Sequence, residues 1–234
     1  MTRRKFVKPA AAVAAFAAIV LAGMLSSSRL VRATDDDDDE DRNEAKIQRG
    51  FEIAPVPLNL EGKNRALVGL GSYIVNGQGD CNGCHSAGPQ TEFVPGRNPY
   101  LLNQQTEKIN PATYLGGGRD FGGFPAQTSP LHIISRNLTP DRTGLPEGGH
   151  TFAEFVQIIR TGKDFDHLHP ACSGAPDSGC MPFPFNGDVL QIMPWPIYKN
   201  MTDHDLRAIY EYLSAIPCID TIIPGQPQLR NNCS

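Results

Sequence analysis

The 234 residues are 40% hydrophobic and 20% charged, enough for one or two domains with a proper core. With 21 basic against 25 acidic side chains the net charge is −4, so no nucleic-acid partner is expected. The only long apolar run lies at the extreme N-terminus, which excludes a multispanning membrane protein.

Met1 to Lys8 carries Arg3, Arg4, Lys5 and Lys8 without an acid, and an Ala-rich apolar stretch follows from Pro9 to Leu25. Val31-Arg32-Ala33 then has the small or aliphatic residues of a cleavage site. The pattern reads as an export signal over residues 1–33 and places the mature chain in the periplasm. The alternative is an uncleaved helix that anchors the chain to the membrane. Thr2-Arg3-Arg4-Lys5-Phe6-Val7-Lys8 resembles the twin-arginine consensus, with Val7 where Leu is usual. An ordinary basic n-region explains the same residues.

Without residues 1–33 the charge falls to −10, and seven of the acids form the run Asp35–Asp41. Such a block repels itself, so residues 34–62 are read as an acidic, disordered segment, with a loose tether for a basic partner as the alternative. The folded domain is expected over residues 63–217, followed by a tail over 218–234.

From Asn64 to Gly79, Ala66, Leu67, Leu70, Tyr73 and Ile74 recur at helical intervals and predict one apolar face. Gly71 would let a second helix approach closely, and Gly77 and Gly79 would end the helix. Directly after it, Cys81-Asn82-Gly83-Cys84-His85 reads C-x-x-C-H, the attachment signature of c-type haem. Cysteines three apart on a helical turn reach the two vinyl groups of one porphyrin, and the next residue is carried beneath the ring. A thioredoxin-type motif needs no following His, and a zinc site needs a second ligand pair at finger spacing.

Between His85 and Thr151 the chain is rich in Gly and Pro, including Gly116-Gly117-Gly118-Arg119-Asp120-Phe121-Gly122-Gly123. A phosphate loop is a weak reading there, since no clear strand precedes it and no P-loop Lys follows. A chain running close to a flat macrocycle fits better. Thr151-Phe152-Ala153-Glu154 is a capping box opening a helix with Phe152, Phe155, Val156 and Ile159 on its apolar face, closed by Gly162.

Cys172 and Cys180 near His167 and His169 have the ligand types of a zinc site, but in an oxidising compartment a disulfide is simpler. Cys218 and Cys233 would then tie down the tail. Four cysteines allow three pairings. Of the methionines beyond the signal, Met201 reads as a hydrophobic staple to Leu206 across the cap Thr202. The helix that follows carries Leu206, Ile209, Tyr210 and Leu213 and is closed by Pro217. Met193 is favoured over Met181 as a distal iron ligand. His132, His150, His167, His169 and His204 are other imidazoles to place.

C-x-x-C-H after a Gly- and Tyr-bearing helix, then M-P-W-P-x-Y-x-x-M-T-x-x-D-L-x-A-I-Y-x-Y-L-x-x-I-P from Met193 to Pro217, resembles class-I-type monohaem cytochrome c domains. The likeness is greatest to the cytochrome c subunits of bacterial alcohol, aldehyde and gluconate dehydrogenases. Asn137-Leu138-Thr139-Pro140-Asp141, Thr143-Gly144, Phe155 and Arg160-Thr161-Gly162 resemble their middle segment, and the whole covers residues 64–217. The resemblance implies a mainly α, cytochrome c-like fold of three to five helices with long Gly/Pro-rich loops. At its centre would lie one covalently bound haem c on Cys81 and Cys84, with His85 as proximal and Met193 as distal ligand. Those subunits usually carry three such motifs, and this chain has one.

Filling both axial positions leaves no substrate site, so an electron carrier rather than an enzyme is expected. Its partners would be redox proteins, a dehydrogenase on one side and a terminal oxidase or other acceptor on the other. The alternative is a haem enzyme or a gas or redox sensor with an open distal position.

Overall fold

The computed structural model describes residues 43–163, 165, 171–173, 180–221 and 231–234. The chain divides into two units, Met1–Ala45 and Lys46–Ser234, and the second is described here. The export signal, the acidic run, His167 and His169 lie outside the described residues. No helix among the described residues is long and apolar enough to cross a membrane.

Residues 46–53 are helical (α1). Next come α2 (Arg65–Tyr73), a π-helical turn (Ile74–Gln78) and α3 (Cys81–His85). A two-stranded antiparallel sheet, β1 (Asp120–Gly123) and β2 (His132–Ile134), pairs Asp120 with Ile134 and Gly123 with His132 around an irregularity. Then follow the single turn α4 (Pro146–Gly149), α5 (Phe152–Thr161), the short α6 (Trp195–Tyr198) and α7 (Asp203–Leu213). The described chain is thus mainly helical, as expected. It has more helical segments than the three to five implied, because α3, α4 and α6 are single turns set in loops.

The expected disordered segment up to residue 62 differs from the structure in its described part. Phe51, Leu58 and Leu60 pack against the core and Val56 is buried within it. What joins α1 to the body is glycine: a Cβ on Gly50 would lie 1.8 Å from the Gly69 carbonyl oxygen. The same device repeats on α2, where a Cβ on Gly71 would lie 2.0 Å from the Ala208 carbonyl oxygen of α7. Two helices therefore press on α2 with backbone against backbone. This corrects the single apolar face read from the sequence: Val68, Gly69, Leu70, Gly71 and Ser72 are all buried, while Ala66 is exposed.

The caps behave as the sequence chemistry dictates. Thr202 accepts the Asp205 N–H at 3.1 Å, and Leu206 and Met201 pack in the same core. On α5, the Thr151 hydroxyl accepts from the Glu154 N–H while the Thr151 N–H donates to Glu154 Oε2 at 2.8 Å. Gly162 ends α5 in the left-handed conformation at φ 69°. Thr151→Ala is expected to cost about 1 kcal/mol and lower Tm by roughly 2–4 °C, read by thermal unfolding against the parent.

The tail belongs to the body. Cys172 is bonded to Cys180 and Cys218 to Cys233, so the favoured pairing is the one found and the zinc alternative loses its thiolates. The Asn137 side chain donates to the Ile219 carbonyl at 2.8 Å, and the buried Asn231 amide donates to the carbonyls of Thr139 and Pro140.

Candidate functional site

A left-handed residue, Asp80 at φ 45°, turns the chain from the π-helical segment into α3. The π turn closes through the Gly79 N–H donating to the Ile74 carbonyl at 2.8 Å, and such turns often sit at functional sites. This places Cys81, Cys84 and His85 in the wall of a cleft with about 1530 Å³ of unfilled space, partly open to solvent. The other walls are mainly apolar: Ile74 and Val75 from the π turn, Phe155 and Ile159 from α5, Leu206 and Leu213 from α7.

His85 is fixed from behind. Its Nδ1 lies 2.8 Å from the Arg136 carbonyl oxygen, which can only accept, so Nδ1 carries the proton. Burial holds the ring below the usual His range, with the bond to Arg136 opposing, so the imidazole is neutral and Nε2 keeps its lone pair. The Gly117 N–H donates to the His85 carbonyl at 2.7 Å, and a Cβ on Gly117 would lie 2.4 Å from the Arg136 backbone. At Gly117 the Gly-rich run thus makes backbone contact behind α3. Of that run, Phe121 is the cavity-lining residue.

Cys81 and Cys84 are unpaired, whereas the other four cysteines are bridged. Burial pushes the Cys81 thiol up to about 12, with Asp80 and Cys84 adding to the effect. Burial also raises Cys84, against the pull of Arg119. Both stay protonated thiols. Cys84 is nevertheless exposed, so this end of the cleft meets solvent.

Met193 reaches the cleft on a loop pinned at several points. A Cβ on Gly162 would lie 2.2 Å from the Trp195 ring, so glycine here seats the indole against the end of α5. Trp195 Nε1–H donates to the Leu190 carbonyl at 3.1 Å, and the Leu190 N–H to the Gly162 carbonyl at 2.7 Å. Arg160 donates to the carbonyls of Lys199 and Met201 and pairs with Asp203 at 2.6 Å. Ile192, just before Met193, sits at φ 67°, a conformation that β-branched residues avoid and functional sites tolerate.

Met201 also lines the cleft, in addition to its staple role. Met181 packs instead with Leu131 and Ile133 in a separate cluster. His132 pairs with Asp120 on the surface at 2.7 Å, and His204 is exposed on α7. His150 lines the cleft. Sequence reading missed Glu147, which lines the same wall and whose Oε2 is shielded from solvent without a hydrogen-bond partner among the described residues. It missed Tyr198 as well, whose hydroxyl donates to the Gly79 carbonyl at 3.1 Å and ties α6 to the turn before Cys81.

Two neutral thiols, an imidazole with a free nitrogen, a thioether and apolar walls form a donor set that fits a flat macrocycle carrying one iron.

No protein-family model and no solved structure matches the chain. It is 30% identical over 152 residues, 64% of its length, to the gluconate 2-dehydrogenase cytochrome c subunit of Pantoea cypripedii, of which 23% is covered. It is 30% identical over 150 residues to the cytochrome c subunit of the quinone alcohol dehydrogenase of Gluconacetobacter polyoxogenes, covering 63% of this chain and 21% of that one. The fructose dehydrogenase cytochrome subunit of Gluconobacter japonicus is 23% identical over 153 residues, 64% of this chain and 21% of that subunit. The chain thus spans less than a quarter of the length of these relatives, and over the matched part it resembles the cytochrome c subunits of gluconate, alcohol and fructose dehydrogenases.

Proposed function

We propose that the chain is a periplasmic carrier of single electrons with a cytochrome c-like fold. Cys81 and Cys84 would hold one haem c through thioethers, and His85 and Met193 would supply its iron ligands. The observation that carries this reading is that the two unpaired thiols, the adjacent imidazole and the Met193 thioether share one apolar cleft. Bound there, haem supplies one-electron chemistry at iron, and His with Met favours the reduced state relative to two imidazoles.

The rest is what the chain does for that group. The Arg136 carbonyl fixes the His85 tautomer and leaves Nε2 as the donor atom. Trp195, Gly162 and Arg160 hold the loop that presents Met193. Side chains of the π-helical turn, α5 and α7 exclude water, and the cleft opens at Cys84 to a partner. The named relatives are subunits of dehydrogenases, which supports a dehydrogenase as electron donor and transfer rather than catalysis as the role. A terminal oxidase or other acceptor would take the electron onward. Export through the signal at residues 1–33 would deliver the chain to the compartment where such motifs are matured.

The test is the wild-type chain produced in a maturation-competent host. Its pigment is expected to stay with the protein in acidified acetone. It should titrate reversibly with one electron and bind neither cyanide nor carbon monoxide rapidly. Colourless protein sinks the reading, and rapid ligand binding favours an open distal site.

A further inference from the structure

We propose that Glu147 is a proton-binding residue of the electron carrier, taking up one proton from water when the chain takes up one electron. The inference rests on the haem reading above and concerns a residue that the reading does not use.

The geometry is unusual for a carboxyl group. Glu147 lines the cleft that holds Cys81, His85 and Met193, and its Oε2 is shielded from solvent with no hydrogen-bond partner among the described residues. A carboxylate oxygen left unpaired in such a place costs free energy, so structures rarely keep one without a use. Its backbone is held at φ 54° between Pro146 and Gly148, a left-handed conformation for a residue other than glycine. The Glu147 N–H donates to the carbonyl of Leu138, itself a cavity wall, so the turn is stitched to the cleft.

The charged and titratable groups around it come from several elements. Arg136 acts from the segment after β2 and favours the carboxylate. Tyr210 on α7 and Cys81 on α3 feel its charge. His150 lies three residues on, with Nδ1 3.9 Å from Glu154 Oε2 of α5, and His85 and Lys163 share the cleft. Against Arg136, burial raises the carboxyl to about 7, so a modest change of nearby charge moves it between its two forms.

The sign follows from electrostatics. With haem held there, the carboxylate of Glu147 would be favoured by the positive charge of the oxidised group. It would gain proton affinity when an added electron removes that charge. One electron enters from a reductant, one proton enters from water, and one O–H bond forms at the Glu147 carboxylate. By linkage, the midpoint potential falls as pH rises through the window between the oxidised-state and reduced-state proton affinities, and is flat outside it.

Potentiometric titration of the full, pigmented chain from pH 5 to 9 tests this. The wild type should show a pH-dependent fall with a break near 7. Glu147→Gln, with unchanged visible spectrum and melting, should lose that break. A flat wild-type curve, or a break that persists in Glu147→Gln, overturns the proposal. Should Glu147→Gln fail to fold, reduction of wild type in weakly buffered dye solution by hexaammineruthenium(II), which gives up one electron and no proton, decides. Proton uptake near pH 7 supports the assignment and its absence overturns it. Colourless wild-type protein would instead remove the haem reading itself, so the two failures are distinct.

Discussion

Alanine at both Cys81 and Cys84 is expected to abolish all pigment that survives acidified acetone, while wild type keeps its full colour on the precipitated chain. The argument is one of bond type. In the variant the cofactor has only the apolar cleft and the axial donors to hold it, and acid protonates His85 and opens the fold. In wild type two carbon–sulfur bonds remain after both are lost. The thiols are open to that role because they are free, whereas the chain's other sulfhydryls are consumed in bridges. A second consequence is stability. A ligand that binds only the folded state stabilises it by mass action, and its loss leaves the walls of Ile74, Phe155 and Leu213 facing unfilled space. The double variant should therefore also melt well below wild type. Retention of acetone-resistant colour would show that attachment lies elsewhere.

The other large effect is expected at Met193. Met193→Ala should remove the weak near-red sulfur-to-iron band and admit cyanide and carbon monoxide. It should also lower the potential, within the ~0.8 V range that axial ligands command. Met201 supplies the control, since it shares the cleft but also packs under α7. Met201→Leu should keep the band. Met181→Leu should keep it too, because that side chain lies with Leu131 and Ile133. Should the band survive Met193→Ala and vanish in either control, the ligand has been misassigned.

What could be read beforehand was chemistry that is local in the chain. The caps at Thr151 and Thr202, the stop at Gly162 and the C-x-x-C-H motif depend on neighbours within a few residues, so spacing alone reveals them. The bridge between Cys172 and Cys180 was legible for the same reason. What escaped depends on partners distant in sequence. Nothing in the sequence marks Gly50 and Gly69 as the place where α1 and α2 touch. The short β1–β2 hairpin has an irregular register and no clean alternation, so it left no periodic trace. The Arg136 carbonyl that orients His85 is a backbone atom, which any residue would supply. Glu147 looked like one more polar residue in a Gly- and Pro-rich stretch, and only the packed cleft reveals its isolation.

The stitching of the last residues to Asn137, Thr139 and Pro140 has a consequence at some distance from the C-terminus. Leu138 stands in the middle of that stretch and faces the cleft, so the Cys218–Cys233 bond works as a remote brace for its lining. Before it meets an oxidant, a newly made chain lacks that brace. A reductant applied at the far end of the chain is therefore expected to loosen the pocket wall around Leu138.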